Sequence, residues 1–235
     1  MVLHDSYNTF FCKSSVFLYK TKTISRLHWQ GSALLVNLTN MDTEILPYSF
    51  YDRDTVVVAR ELLGKIMIHH HQDQMLAGII VETESYGYSD DPASHAYRGK
   101  TPRTQAMFGP VGHAYVYFIY GNHYCFNVVA RSADASAGAV LIRAVEPIIG
   151  VEYMQRNRNV AKIESLTNGP GKLTQAFGIT QQHNALNLMQ SDVLYITQGR
   201  DIDERDVFTT PRIGISKAKE NLWRFCLKNN QWVSR

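Results

Sequence analysis

Residues 65–86 read KIMIHHHQDQMLAGIIVETESY, and the spacing of their apolar side chains decides the fold. From Lys65 to about His70, and again from Leu76 to Tyr86, the period is near two, with the polar pair Gln72-Asp73 between the runs. A helix would need recurrence at three and four positions, so the pattern predicts a hairpin of two antiparallel strands. Within the second strand, Val81-Glu82-Thr83-Glu84-Ser85-Tyr86 places Glu82, Glu84 and Tyr86 at alternate positions, where all three share one face. Turned to water, they are the ordinary polar side of a half-buried strand. Gathered in a cleft, they are the material of acid–base chemistry.

Upstream, Asp54 to Leu63 predicts a helix with Asp54 as N-cap and Gly64 as its left-handed stop. Residues 1–40 scatter Lys13, Lys20, Lys22 and Arg26 among short apolar stretches, without the continuous apolar block and cleavage site of a secretory signal. Residues 1–44 are therefore expected to be a poorly ordered extension, with Met41 a candidate translation start, and residues 45–235 to form the domain.

Downstream, Thr101-Pro102-Arg103 carries a capping hydroxyl and a first-turn proline before Ala106-Met107-Phe108, predicting a short helix that ends at Gly109-Pro110. Tyr115 to Tyr120 and His123 to Ala130 read as strands about the two-residue turn Gly121-Asn122, and Ala139 to Ala144 as another. Helices near Val151 to Asn157 and Lys172 to Phe177, and strands near Val193 to Thr197, Arg212 to Ile215 and Trp223 to Leu227, complete the order. Strands meander and helices stand alone, so the expected class is α+β, a single compact domain around a curved, mainly antiparallel sheet with flanking helices.

The composition narrows function only a little. Hydrophobic residues make up 45% of 235, enough for one core, and the net charge of +3 suits a nucleic-acid partner and many small-molecule enzymes alike. Cys12, Cys125 and Cys226 stand singly, which points to a reducing, intracellular compartment, and no apolar run is long enough for a membrane span. His69, His70 and His71 invite a metal, but with no acidic or cysteine partner at ligand spacing they read as solvated turn histidines. Tyr86, Tyr97, Tyr115, Tyr117, Tyr120 and Tyr124 accompany His95, His113 and His123. Tyrosines of this density can be core. A ring at the tip position of Tyr120, however, is poorly placed to bury and well placed to stack on a base.

The runs VETESY, SHAYRGKTPRTQAMF, YVYFIYGNHYCFNVV and LIRAVEP resemble the alkyladenine (3-methyladenine) DNA glycosylase family, as do NGPGKLTQA and PRIGIS further on. The resemblance covers nearly everything from Asp52 to Ser234. It implies a mixed domain with a protruding β-hairpin and an enzyme of base-excision repair. Such an enzyme flips damaged purines of the 3-methyladenine, 7-methylguanine or hypoxanthine type out of double-stranded DNA and hydrolyses the glycosidic bond, leaving an abasic site. By position, the resemblance makes Glu84 the general base and Arg143 the partner that holds it and the water. It makes Tyr86, His95, Tyr117 and Asn127 the walls of the base pocket, Tyr120 the ring inserted into DNA, and the backbone carbonyl of Ile213 a water ligand. It implies no cofactor and no metal, a monomer, no membrane, and a cytoplasmic, nucleoid-associated or nuclear location rather than a secreted one.

Other readings of the same residues remain. Arg143 also fits an ion pair with Glu146, and His95 a satisfied core or loop histidine. With the turn at Gly121-Asn122, Tyr117 would face Phe126 and Asn127 would lie on the other side of the sheet, so its role in the pocket requires a shifted register. Lys100 is the lysine nearest the pocket in sequence; an amine nucleophile would give a strand-nicking enzyme, whereas the resemblance implies water and a monofunctional one. Competing functions are a non-catalytic nucleic-acid-binding module and a metal-dependent hydrolase using His69 to His71 with Glu82 or Glu84.

Overall fold

The structure is a computed structural model that describes residues 44–119 and 123–234. Residues 1–43 of the expected extension and the tip tyrosine Tyr120 lie outside the described residues. A single turn, α1 (Tyr48–Tyr51), leads into α2 (Thr55–Glu61). Asp54 caps α2 as expected, its carboxylate accepting from the N–H groups of Val56 at 2.9 Å and Val57 at 3.1 Å. Gly64 follows in the left-handed region at φ 82°, a conformation that a side chain would strain.

The predicted hairpin is β1 (Ile66–His71) and β2 (Gln74–Tyr86), paired antiparallel from Ile66↔Ile79 to His71↔Gln74. The remaining strands are β3 (Ala114–Ile119), β4 (His123–Val129), β5 (Ala139–Ile149), β6 (Leu194–Thr197), β7 (Val207–Thr210) and β8 (Arg224–Leu227). They form one open eight-stranded sheet along the path β3-β4-β5-β2-β1-β6, with β8 joining β2 and β7 joining β8. The class is α+β, as expected. Strand β2 is the hub: β5 lies along one edge, while the other edge is shared between β1, up to Ile79, and β8, at Glu82 to Glu84. Helices α3 (Val151–Arg158) and α4 (Pro170–Phe177) occupy the long connection from β5 to β6.

One side of the sheet carries the main core. Val116, Phe126, Val128, Val140 and Ile142 are almost completely buried there, in one cluster with Val58 and Leu62 beside α2 and Leu173 and Phe177 of α4. Each side chain of this size contributes about 1.5–3 kcal/mol on burial. That side anchors the helices and leaves the opposite side free for polar side chains.

Local expectations failed in four places. Arg212 to Ile215 form a turn, because Pro211 cannot donate to a ladder and Gly214 takes φ 79°; the strand is β7, just before it. The Thr101 hydroxyl accepts from the Thr104 N–H at 3.2 Å, as a cap does, but the short helix that follows is a 3-10 turn (Gln105–Phe108) that begins only after Thr104. His69 is not solvated: it is 1% exposed, its Nδ1 lies 2.7 Å from the Phe177 carbonyl, and burial lowers its pKa to about 4. Finally, Ile119 pairs with His123, so three residues separate the β3 and β4 strands where a two-residue turn was expected.

Candidate active site

The unexpected register of the β3–β4 hairpin assembles one face. Tyr115 pairs with Asn127 and Tyr117 with Cys125, Asn127 pairs in turn with Leu141 of β5, and Leu141 with Glu84 of β2. Paired residues point to the same side, so Tyr115, Tyr117, Cys125, Asn127, Leu141 and Glu84 share the face opposite the main core. Asn127 therefore stands with Tyr117, as a shifted register requires, and its side-chain amide donates to the Tyr115 carbonyl at 2.9 Å.

Glu82 and Glu84 are both 0% exposed, which removes the solvent-facing reading of the strand. Their burial is matched by donors, as the cost of a buried charge demands. Glu84 Oε1 accepts from the backbone N–H of Ile213 at 2.7 Å; its Oε2 accepts from Tyr86 Oη at 2.8 Å and Arg143 Nη1 at 3.3 Å. Arg143 bridges the two carboxylates, its Nε donating to Glu82 Oε1 at 2.9 Å. Glu146, its alternative partner, accepts instead from Asn230 Nδ2 at 2.9 Å. The β2–β5 register is irregular between Ile80 and Thr83, and Arg143 sits at this irregularity, between Ala144 and Ile142, the residues paired with Glu82 and Thr83.

The three partners of Glu84, Tyr86, Arg143 and Ile213, all line a cavity of about 530 Å³, together with His95, Tyr115, Tyr117 and Asn127. Ile213, Gly214 and Ile215 close one side. Tyr117 meets the His95 ring edge-on at 4.7 Å and leans on Tyr115 at 5.0 Å, while His95 Nδ1 lies 3.2 Å from Tyr115 Oη. Although the side chain of His95 remains open to solvent, crowding by its neighbours and the nearby charge of Arg103 lower its pKa, favouring neutral imidazole. Burial raises the Tyr86 hydroxyl well above its ordinary value, and Glu84 beside it adds to the effect, so it remains a donor. Tyr115 is pushed up to about 12, again by burial.

Each described site residue from the sequence thus belongs to a single constellation. For Ile213, the N–H engages Glu84. Sequence reasoning overlooked several supports. Asp91 and Arg212 form a pair with both side chains fully buried, at 2.6 and 2.7 Å, and Arg212 Nη1 also donates to the Ser85 carbonyl at 2.8 Å. The Arg212 guanidinium lies 4.7 Å over the Tyr86 ring and so steadies it. Arg103 lies 5.4 Å over Tyr117. Tyr115 could have been found from the same period of two that marks Tyr117. The distant partners Asp91 and Arg212 left no local signal. No lysine lines the cavity among the described residues, Lys100 included. No cluster of His, Cys, Asp or Glu among the described residues has metal-holding geometry, the triple His69 to His71 included.

A buried carboxylate whose donors line an aromatic cavity suits hydrolysis of a bond to a flat ring, and the comparison with known proteins bears on this point. A family model described as methylpurine-DNA glycosylase (MPG) matches residues 49–231. The chain belongs to the methylpurine-DNA glycosylase family. It is 48% identical over 191 residues to a protein of Carboxydothermus hydrogenoformans, covering 81% of this chain and 99% of the relative. It is 46% identical to proteins of Clostridium acetobutylicum, over 79% of this chain and 95% of theirs, and of Methanoculleus marisnigri, over 81% and 98%. All three relatives are named "Putative 3-methyladenine DNA glycosylase". As a methylpurine-DNA glycosylase family member, the chain is a DNA glycosylase, a hydrolase of DNA repair whose substrate is DNA. No described helix is long and apolar enough to cross a membrane.

Proposed function

We propose that this enzyme is a monofunctional 3-methyladenine-type glycosylase that extrudes a damaged purine into the aromatic cavity and hydrolyses its glycosidic bond with water activated by Glu84. The observation that carries the reading is the setting of Glu84: fully buried, and oriented by three donors that all line a cavity walled by Tyr86, His95, Tyr117 and Asn127.

The geometry supports a division of labour. Glu84 Oε1 accepts a single protein hydrogen bond, so its second lone pair can accept one from water, while Arg143 and Tyr86 hold the other oxygen. As the bond to the sugar breaks, positive charge grows on the deoxyribose ring; the carboxylate stabilises it and takes the proton of the attacking water. The Ile213 carbonyl is assigned to the same water, and Asn127 to opposing the guanine amino group. Tyrosine faces attract a purine made cationic by alkylation by about 0.5–2 kcal/mol more than a neutral one. Such a base departs as a neutral molecule and needs no acid.

Tyr120 is assigned to the stack vacated by the flipped nucleotide, where base–aromatic stacking of roughly 1–3 kcal/mol offsets part of the cost of extrusion. The protein acts as a monomer inside the cell, on the nucleoid or in the nucleus, and residues 45–235 suffice for activity. The test is release of free base from duplexes carrying 3-methyladenine, 7-methylguanine or hypoxanthine, with Glu84→Gln as control. No base released from any of them by the wild-type protein overturns the reading.

A further inference from the structure

The second carboxylate, Glu82, is more heavily engaged than Glu84, and of its partners only Arg143 lines the cavity, whereas all three partners of Glu84 do. Its Oε1 accepts from Arg143 Nε at 2.9 Å, Arg224 Nε at 2.7 Å and Ser234 Oγ at 2.7 Å, and its Oε2 from the backbone N–H of Ser234 at 2.6 Å. Arg224 is fixed in turn by the Ser234 carbonyl at 2.9 Å and Thr210 Oγ1 at 3.1 Å. Two carboxylates and two guanidiniums are thus sealed together, and Arg143 is the only one of the four joined to both carboxylates among the described residues.

We infer that Glu82, clamped by Ser234 and Arg224, is a positioning residue that divides the charge of Arg143 and so sets how readily Glu84 accepts a proton. The inference rests on the reading of Glu84 as the general base. The physical argument is competition. A guanidinium shared between two anions stabilises each less than it would stabilise one alone, and in a low-dielectric interior the difference is not screened away. The contact of Arg143 to Glu82 is the shorter, at 2.9 against 3.3 Å. Ser234 engages the oxygen that Arg143 uses, so its hydroxyl regulates how strongly Glu82 draws the guanidinium. The other groups near the pair are Tyr86 on the same strand, Cys125 on β4, Arg212 after β7 and Cys226 on β8; the substitutions below leave all of them in place.

Two substitutions act in opposite directions. Glu82→Gln cancels the competing charge, leaves Arg143 to Glu84, and moves the acidic limb of the single-turnover excision rate to lower pH by at least about half a unit. Ser234→Ala removes the competing donor, draws Arg143 toward Glu82, and moves the same limb to higher pH. Glu82→Gln also lowers the plateau rate, whereas a purely structural role lowers the plateau and leaves the limb in place. Should Glu82→Gln fail to fold, Ser234→Ala alone decides: a limb moved upward supports the inference, and an unmoved limb overturns it. Failure of the underlying reading looks different, because the limb would then persist in Glu84→Gln.

Discussion

Replacing Glu84 by Gln separates chemistry from architecture, since the side chain keeps its shape and loses its charge. The wild-type carboxylate accepts from Ile213 N on one oxygen and from Arg143 and Tyr86 on the other. An amide has one oxygen to offer. If that oxygen faces Arg143 and Tyr86, the amide nitrogen opposes the Ile213 N–H, donor against donor; if it is turned round, the nitrogen opposes the guanidinium. One mismatched buried donor costs about 1–3 kcal/mol, and for a domain of this size each kcal/mol lowers Tm by about 2–4 °C. The variant therefore remains folded at 25 °C with Tm lowered by roughly 2–12 °C. Excision falls much further, by about 10²–10⁴-fold, the usual contribution of a positioned base. The assay is single-turnover release of 7-methylguanine from a duplex at saturating enzyme, paired with a binding isotherm on the same duplex. Affinity within about threefold of wild type with excision lost fits the reasoning. Excision within tenfold of wild type, or affinity lost in step with activity, refutes it.

Asp91→Ala leaves the Arg212 charge buried without its carboxylate; the expected cost is about 3–5 kcal/mol and a Tm lower by roughly 10 °C, and a drop under 2 °C in a thermal melt counts against it. Burial holds folded His69 at a pKa of about 4, below the ordinary 6.5 or so of the unfolded chain, so its contribution is complete above pH 6.5 and is lost as pH falls toward 4. Urea titrations at pH 7 and pH 5 should differ by about 2 kcal/mol more in the wild type than in His69→Asn, and equal differences dispose of the assignment. Tyr120→Ala should weaken binding to lesion duplex more than to undamaged duplex; an equal loss on both removes the wedge. Borohydride added during turnover should trap no covalent adduct, and an adduct abolished by changing Lys100 would replace water with an amine nucleophile.

The strands and helices were legible where local chemistry dictated them. Alternation marked β1 and β2, and Asp54 and Gly64 bounded α2, because capping and left-handed backbone are properties of single residues. Glu84, Tyr86 and Arg143 were legible through a recognisable order of motifs, with the strand period placing the first two on one face. What the sequence hid was tertiary. Whether Glu82 faces water depends on Arg224 and Ser234, more than 140 positions away. The β3–β4 register depends on pairing that Gly121-Asn122 alone argued against. His69 looked like turn surface until α4 covered it, its Nδ1 meeting the Phe177 carbonyl.

Because neighbouring positions on a strand face opposite ways, the register of β3 against β4 acts as a parity setting. With Ile119 opposite His123, Cys125 and Asn127 look into the cavity while Phe126 and Val128 fill the core. A slip of one position in this pairing would exchange these roles, sealing polar groups in oil and plugging the chamber with phenylalanine. Evolution is therefore free to repaint the apex of this ribbon in any chemistry, so long as the two strands keep their partners.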